Sequence, residues 1–145
     1  VIPGEAHLEG TVRSFDPTVR QTLERRCREI VEELPRAFGG EGIFEYEFGY
    51  PTTVNDPAVT AIVQAAAEAV VGAENVVEFT PTMGAEDMSQ VLQKIPGCYF
   101  FVGGRNPAID AIYPHHHPRF NIDEAALLTG TRTMVEAVKR CLQSI

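Results

Sequence analysis

The sequence has few basic residues, no long apolar run and only three cysteines, and each shortage argues against a class of protein. Twelve lysines and arginines face twenty aspartates and glutamates, so the formal net charge is −8. Nucleic acids and anionic membranes attract the opposite charge, and neither is expected as a partner. No apolar run approaches the roughly 20 residues of a membrane span, and we expect no signal peptide.

The cysteines argue against a disulfide framework or a zinc cluster. Cys27, Cys98 and Cys141 are odd in number and scattered along the 145 residues. Cys27 and Cys141 lie on the apolar faces of predicted helices, and Cys98 begins an apolar segment. This usage is typical of small apolar side chains in a reducing cytoplasm, which is where we expect the protein.

Common catalytic motifs are also missing. The segment "FVGGRNP" follows a predicted strand but lacks the Lys-Ser/Thr ending of a phosphate-binding loop. There is no Gly-x-Ser-x-Gly elbow, and no cysteine stands near a histidine in the sequence. The composition, with 44% hydrophobic and 22% charged residues, is that of a globular domain with a core.

Hydrophobic periodicity predicts an α/β protein in two parts, with a boundary near residue 51. Residues 6–15 and 42–50 alternate as strands do, and between them a helix is predicted from Asp16-Pro17 to Gly39-Gly40. Beyond the boundary, helices are predicted from Asp56-Pro57, within residues 84–97 and from about Asp123, and strands at residues 75–79 and 98–104. The last helix carries an apolar stripe that we expect to face the core, formed by Leu127, Met134, Val135, Val138, Cys141, Leu142 and Ile145.

Three consecutive histidines, His115, His116 and His117, lie between two prolines in "YPHHHPRF". They follow a predicted buried strand, and open α/β sheets place their ligand sites in the loops after such strands. Imidazole is the commonest protein ligand of first-row divalent metals, so the triplet is a candidate metal site. A solvated polar loop can have the same residues, and a closed site needs about three or four ligands, so residue type leaves both interpretations open.

Two further candidates are an acidic pair and an arginine. Glu86 and Asp87 begin a predicted helix, where they either interact with the helix dipole or orient a metal-bound histidine from outside its ligand shell. Arg13 lies on the polar face of the first predicted strand, where its planar fork either holds a substrate carboxylate or is solvated. Spacing alone does not separate these alternatives.

Four segments together resemble one family. The segments "VIPGEAHLEGTVRSFD", "GYPTTVNDP", "TMGAEDMSQVLQKIPGCYFFVGG" and "HHHPRFNIDEAALLTGTRTMVEAV" are similar, in order and spacing, to the later half of the metal-dependent N-acyl-amino-acid amidohydrolases. This is the aminoacylase/carboxypeptidase metallopeptidase family, which includes hippurate hydrolases and auxin-conjugate hydrolases. The resemblance covers essentially the whole chain.

The resemblance implies a fold in two parts. Residues 1–51 would be the second half of a ferredoxin-like lid domain, which often carries the dimer contact. Residues 52–145 would be the C-terminal part of an α/β catalytic domain that binds two metal ions. A homodimer through the lid is therefore expected.

The resemblance also implies site residues. The family's histidine-any-proline-any-Phe/Tyr pattern matches His116, Pro118 and Phe120. His116 is thereby implied as a metal ligand, with His115 and His117 as flanking contributors. Arg13 matches the lid arginine that contacts the substrate carboxylate, whereas Glu86 keeps its place in the Gly-Ala-Glu-Asp element without an implied role.

The implied activity is hydrolysis of the amide bond of N-acyl amino acids by metal-activated water, with two divalent ions drawn from Zn, Mn, Co and Ni. The family's general-base glutamate and its other metal ligands come from segments N-terminal to those present, so no catalytic residue is assigned in this chain. Because the chain also begins at Val1 and not at Met, we expect a fragment that is inactive by itself.

Two other functions remain open. A stand-alone binding or dimerisation module derived from such an enzyme would associate through the unpaired strand edges of a half lid. A histidine-tract metal-binding protein would hold metal through His115 and His117 as well as His116.

Overall fold

Helices provide the regular structure of this protein. The structure is a computed structural model, and it describes residues 1–143. Within them, irregular chain and two 3₁₀ turns, Ala73–Asn75 and Pro107–Ile109, connect four α-helices. All four helices were predicted, although the third is shorter than residues 84–97. They are α1 (Pro17–Arg36), α2 (Pro57–Val71), α3 (Met88–Leu92) and α4 (Ala125–Gln143).

Helices α1 and α2 begin with the same aspartate–proline pair. The Asp16 carboxylate accepts hydrogen bonds from the N–H groups of Thr18 at 2.7 Å and Val19 at 2.9 Å, and Pro17 follows it. The Asp56 carboxylate accepts from two N–H groups of α2 at 2.9 and 3.0 Å. These bonds satisfy N–H groups that have no partner inside the helix, and both predicted helix starts are confirmed.

The predicted strands do not form within residues 1–143. Residues 6–15, 42–50, 76–79 and 98–104 are irregular, and a single isolated bridge, between Asn106 and Ala111, is present in the described chain. Alternation identifies which side chains share a face, but a strand also needs a second backbone about 4.8 Å away to complete its hydrogen bonds. The detailed α/β prediction is therefore not confirmed.

The predicted side-chain alternation of residues 42–50 does appear, without the strand. The rings of Phe44, Tyr46 and Phe48 form a row, with successive centroids 5.9 and 4.8 Å apart. Helix α1 places Arg28 over Phe44 at 5.1 Å and Arg20 over Phe48 at 5.2 Å. Alternate residues therefore do share one face, and the arginines of α1 cover it.

Helices α2 and α4 pack against each other through small side chains. Ala66 of α2 and Thr133 and Ala137 of α4 are buried. Small residues let two helices approach closely, so α4 turns this side to α2 and its large apolar side chains outward. The predicted core-facing stripe is therefore wrong for five residues that are 51–69% exposed, namely Leu127, Met134, Val135, Val138 and Leu142. Ile145 lies outside the described residues.

The Asn55 side chain joins the start of α2 to the segment that was predicted as a buried strand. Its Nδ2 donates to the C=O of Tyr99 at 2.8 Å, and its Oδ1 accepts the N–H of the same residue at 2.8 Å. Next to it, the Asp56 N–H donates to the C=O of Gly97 at 2.9 Å. Asn55 thus occupies the hydrogen-bonding positions that a neighbouring strand would use.

The described chain divides into two compact units. The first comprises Val1–Thr52 and Pro81–Ser89, and the second comprises Thr53–Thr80 and the chain from Gln90 onward. Helix α1 belongs to the first unit, and α2 and α4 belong to the second. The domain boundary near residue 51 stays a prediction. Among the helices described, none combines the length and the apolar composition needed to cross a membrane.

Candidate functional site

The histidine triplet lies in a loop, residues 112–122, that Asn106 closes at its base. We call these residues the histidine loop. The backbone N–H and C=O of Asn106 pair with those of Ala111 at 2.9 and 3.0 Å. Its side-chain amide donates to the Asp123 carboxylate at 2.7 Å. Hydrogen bonds from the Ala125 N–H and from Asn106 hold the pKa of Asp123 below its ordinary value. Asn106 therefore ties both ends of the loop together.

Two successive turns shape the histidine loop. The His117 N–H donates to the C=O of Pro114 at 3.2 Å, and the Phe120 N–H donates to the C=O of His117 at 2.9 Å. His116 lies at the third position of the first turn with a φ of 67°. Residues other than glycine seldom adopt this backbone conformation. Here the turn between Pro114 and Pro118 keeps His116 in it.

His115 and His116 have different surroundings. The His115 ring packs edge-on against Phe120, with the centroids 5.0 Å apart. His116 is exposed and makes no hydrogen bond, ion pair or ring contact with the part of the chain that the structure describes. Both imidazole nitrogens of His116 are therefore accessible to a ligand.

His117 belongs to a stacked cluster that sequence reasoning missed. Its ring stacks on Tyr113 with centroids 4.3 Å apart and 13° between the planes, and its Nδ1 accepts the N–H of Arg119 at 3.1 Å. The Arg119 guanidinium lies over the Tyr113 ring at 4.5 Å and forms an ion pair with Asp110. The tyrosine and arginine were visible beside the triplet in "YPHHHPR", but spacing does not tell which side chains will stack.

His116 fits a divalent cation as a single ligand. An imidazole nitrogen suits zinc, cobalt and nickel, and sites with additional oxygen ligands suit manganese as well. Within residues 1–143, no three His, Cys, Asp or Glu side chains come close enough to form a metal-binding group. In the described chain, His116 therefore offers an imidazole with no other contact, in a loop closed at its base.

Arg13 is exposed and is held through one of its donors. Its Nη1 donates to the C=O of Met83 at 2.9 Å. A guanidinium has five N–H donors, so the remaining donors suffice for a bidentate contact with a carboxylate. Residues 81–89 belong to the first unit, so the structure brings Arg13 to the "TMGAED" segment.

The acidic pair lies in the same "TMGAED" segment. The Glu86 carboxylate accepts the N–H of Met88 at 3.5 Å, and its C=O accepts the hydroxyl of Ser89 at 2.6 Å. These contacts fit the helix-start interpretation of Glu86, because Met88 begins α3. His116 belongs to the second unit. The site roles of Arg13 and His116 and the metal-orienting role of the acidic pair stay predictions.

Comparison with known proteins finds relatives along almost the whole chain. A sequence profile of Peptidase family M20/M25/M40 matches residues 5–140. Thermostable carboxypeptidase 1 of Saccharolobus solfataricus is 41% identical over 131 residues, which are 90% of this chain and 33% of the relative. N-acetyl-L-cysteine deacetylase of Bacillus subtilis is 34% identical over 144 residues, 99% of this chain and 33% of the relative.

A plant protein is also similar. IAA-amino acid hydrolase ILR1-like 4 of Arabidopsis thaliana is 31% identical over 146 residues, 98% of this chain and 33% of the relative. The chain thus spans about a third of the length of these curated relatives. No solved structure matches it significantly.

Proposed function

The chain belongs to Peptidase family M20/M25/M40, and from this premise we propose that it is the C-terminal part of a metal-dependent amidohydrolase that cleaves N-acyl amino acids. The names of its relatives, a carboxypeptidase, a deacetylase and an amino-acid conjugate hydrolase, all describe cleavage of an amide bond. The family match over residues 5–140 carries the proposal. By itself the chain is expected to be inactive.

The finer fold assignment is part of this proposal. Residues 1–51 would contribute half of a ferredoxin-like lid, through which the protein would form a homodimer, and residues 52–145 the end of an α/β catalytic domain. Support comes from residues 6–15 and 42–50, whose backbones have no strand partner in the described chain. The two-thirds of each relative's length that this chain does not cover would include such partners.

His116 would hold one of two divalent cations through an imidazole nitrogen. Its exposure and its freedom from other contacts in the described chain support this role. When bound, such cations supply Lewis acidity for amide hydrolysis. The other ligands and the general-base glutamate are expected from outside this chain.

Arg13 would bind the carboxylate of the substrate. The bond to the Met83 carbonyl orients the guanidinium and leaves N–H donors for a bidentate, charge-assisted contact. Such a contact favours substrates that end in a free carboxylate. The proposal therefore predicts a preference for N-acyl amino acids over their neutral amides.

The proposal is tested in the longer polypeptide that it requires. We would assay hydrolysis of N-acetyl amino acids and of hippurate with and without added Zn²⁺ or Co²⁺. His116→Ala should lower kcat/KM by at least about 100-fold, because even partners outside the ligand shell are typically worth 10- to 100-fold. Arg13→Ala should lower it by about 10- to 100-fold, the value of one charged hydrogen-bonding contact.

Matched variants separate these effects from general damage. His7→Ala and Arg132→Ala remove exposed side chains of the same two types and should leave kcat/KM unchanged. With an N-acetyl amino acid amide as substrate, the Arg13→Ala penalty should disappear. A well-folded longer protein that hydrolyses no N-acyl amino acid with any of these metals contradicts the proposal.

A second candidate is a stand-alone binding or dimerisation module. The exposed apolar side chains of α4, 51–69% accessible, favour it, because such a stripe usually contacts another apolar surface. Sedimentation equilibrium of the 145-residue chain and the content of the reading frame that encodes it together distinguish the candidates. A stable dimer, together with a reading frame that contains no further metal ligands, supports the module and excludes catalysis.

A further inference from the structure

The histidines of the loop differ in whether their ring nitrogens can bind a cation. His117 Nδ1 accepts the Arg119 N–H at 3.1 Å, so its lone pair is already engaged. In a neutral imidazole that accepts at one nitrogen the proton lies on the other, so this hydrogen bond assigns the neutral His117 ring to the tautomer with N–H at Nε2. Neither nitrogen of this ring offers a lone pair to a metal. His116, in contrast, makes no contact of this kind with the described chain.

The stacked cluster holds the His117 ring in this state. Tyr113 packs flat on the imidazole at 4.3 Å, which limits rotation of the ring away from the Arg119 N–H. Tyr113 is itself fixed by the Arg119 guanidinium at 4.5 Å, and Asp110 pairs with that guanidinium. Tyr113 and His117 are both half-buried, which restricts their alternative rotamers.

We propose that Tyr113 is a positioning residue that favours His116 over its neighbour His117 as a metal ligand by keeping the nitrogens of His117 engaged. The inference rests on the proposed function, which supplies the metal. Adjacent imidazoles on one short turn would otherwise compete for the same cation. Because Tyr113 keeps the neighbouring ring engaged, His116 is favoured over His117.

The expected effect follows from the contact that is lost. An aromatic pair at this distance is worth about a 2- to 10-fold change in an equilibrium constant, and freeing Nδ1 removes one competing hydrogen bond as well. Replacing Tyr113 with a non-aromatic residue should therefore raise the apparent affinity of His117 for a divalent metal by about tenfold. The affinity of His116 should change little.

Nuclear magnetic resonance on the 145-residue chain measures this directly. We would label the histidines with ¹³C and ¹⁵N, add Ni²⁺ and follow the paramagnetic broadening of each imidazole. In the unmodified chain, His116 should broaden at lower Ni²⁺ concentrations than His117, and the ¹⁵N shifts of His117 should report a proton on Nε2. In Tyr113→Leu, broadening of His117 should shift to about tenfold lower Ni²⁺.

Two variants control for a merely structural effect. Tyr113→Phe retains the ring and should behave as the unmodified chain, whereas Tyr50→Leu removes an exposed tyrosine of the first unit and should change neither histidine. If Tyr113→Leu loses the helical circular dichroism of the parent, Arg119→Lys replaces it. This variant keeps the positive charge near Asp110 but removes the flat guanidinium from the Tyr113 ring, so it should also release His117.

The outcomes separate this inference from the proposed function. If His116 shows no Ni²⁺ broadening in the unmodified chain, its assignment as a ligand fails, and the inference fails with it. If His116 is preferred but remains equally preferred in Tyr113→Leu, or in Arg119→Lys where that variant is used, the role of Tyr113 is overturned and the ligand assignment stands. Release of His117 in the leucine variant and not in the phenylalanine variant supports the inference.

Discussion

Replacing Asn55 tests whether a single side chain takes the place of a missing strand. The Asn55 amide donates to the C=O of Tyr99 and accepts its N–H, both at 2.8 Å, in a half-buried position. An antiparallel neighbour would exchange the same pair of bonds with Tyr99. If the interpretation is correct, removing this side chain should destabilise the second unit.

The magnitude follows from the two bonds. Each intramolecular hydrogen bond contributes about 0.5–1.5 kcal/mol net, so Asn55→Ala should lower the free energy of unfolding by about 1–3 kcal/mol. Asn55→Asp keeps the acceptor for the Tyr99 N–H but replaces the donating Nδ2 with an oxygen that faces the Tyr99 carbonyl. At neutral pH this variant should be at least as destabilised as the alanine variant.

Urea denaturation followed by circular dichroism at 222 nm measures these differences. Asn75→Ala is the matched control, because its exposed amide donates to the C=O of Val71 at 2.7 Å on the helix surface. Exposed substitutions of this kind usually change stability by about 0.5 kcal/mol or less. The reasoning is refuted if Asn55→Ala destabilises the protein no more than Asn75→Ala does.

Three further predictions concern close packing and one titrating group. A Cβ on Gly42 would lie 1.7 Å from the carbonyl oxygen of Val31, so Gly42→Ala should lower the free energy of unfolding by about 1–3 kcal/mol. A Cβ on Gly49 would meet nothing within 4 Å, so Gly49→Ala should not lower it, and thermal unfolding compares the two variants. Ala66→Leu should lower the free energy of unfolding by about 1–3 kcal/mol, because the larger side chain overfills the contact between α2 and α4. The exposed Ala61→Leu should lower it much less in the same urea assay. Hydrogen bonds from the Ala125 N–H and Asn106 lower the pKa of Asp123 in the folded protein. The ionised Asp123 therefore stabilises the folded state at pH values above its ordinary pKa, and this contribution is lost as the pH falls through the lowered pKa of the folded state. Acid titration of stability should therefore be steeper in the parent than in Asp123→Asn, and equal slopes would contradict the assignment.

The helices could be predicted because their signals are local. The aspartate–proline pairs at residues 16–17 and 56–57 cap the N–H groups of the next turn, so a few neighbouring residues decide where α1 and α2 begin. Strands depend on partners that are distant in sequence. Residues 42–50 have the predicted aromatic face, in the row from Phe44 to Phe48, but alternation carries no information about which backbone will pair with them.

Part of the candidate site could also be predicted from neighbouring residues in the sequence. The residue types and the two prolines indicated a rigid loop with imidazoles, and the family resemblance implied His116. Neither source could tell that His117 Nδ1 would be engaged by the Arg119 N–H. That bond depends on the turn and on the stack of Tyr113 with His117, which form only when the chain from Asp110 to Arg119 folds back on itself.

The unpaired strand segments and the outward-facing stripe of α4 have one explanation under the proposed function. A parallel sheet in an α/β protein is covered on both faces, so its helices need an apolar side toward the sheet as well as contacts with each other. Helix α4 packs against α2 through alanine and threonine, and its leucine, methionine and valine side chains are exposed. A helix that packs on another helix and also covers a sheet is expected to have two such faces. The apolar segment 98–104 has the composition of a central strand, and Asn55 satisfies part of its backbone in the described chain. Under the proposed function, both predictions would describe contacts with the part of the relatives' length that this chain does not cover, and one cause would account for both differences.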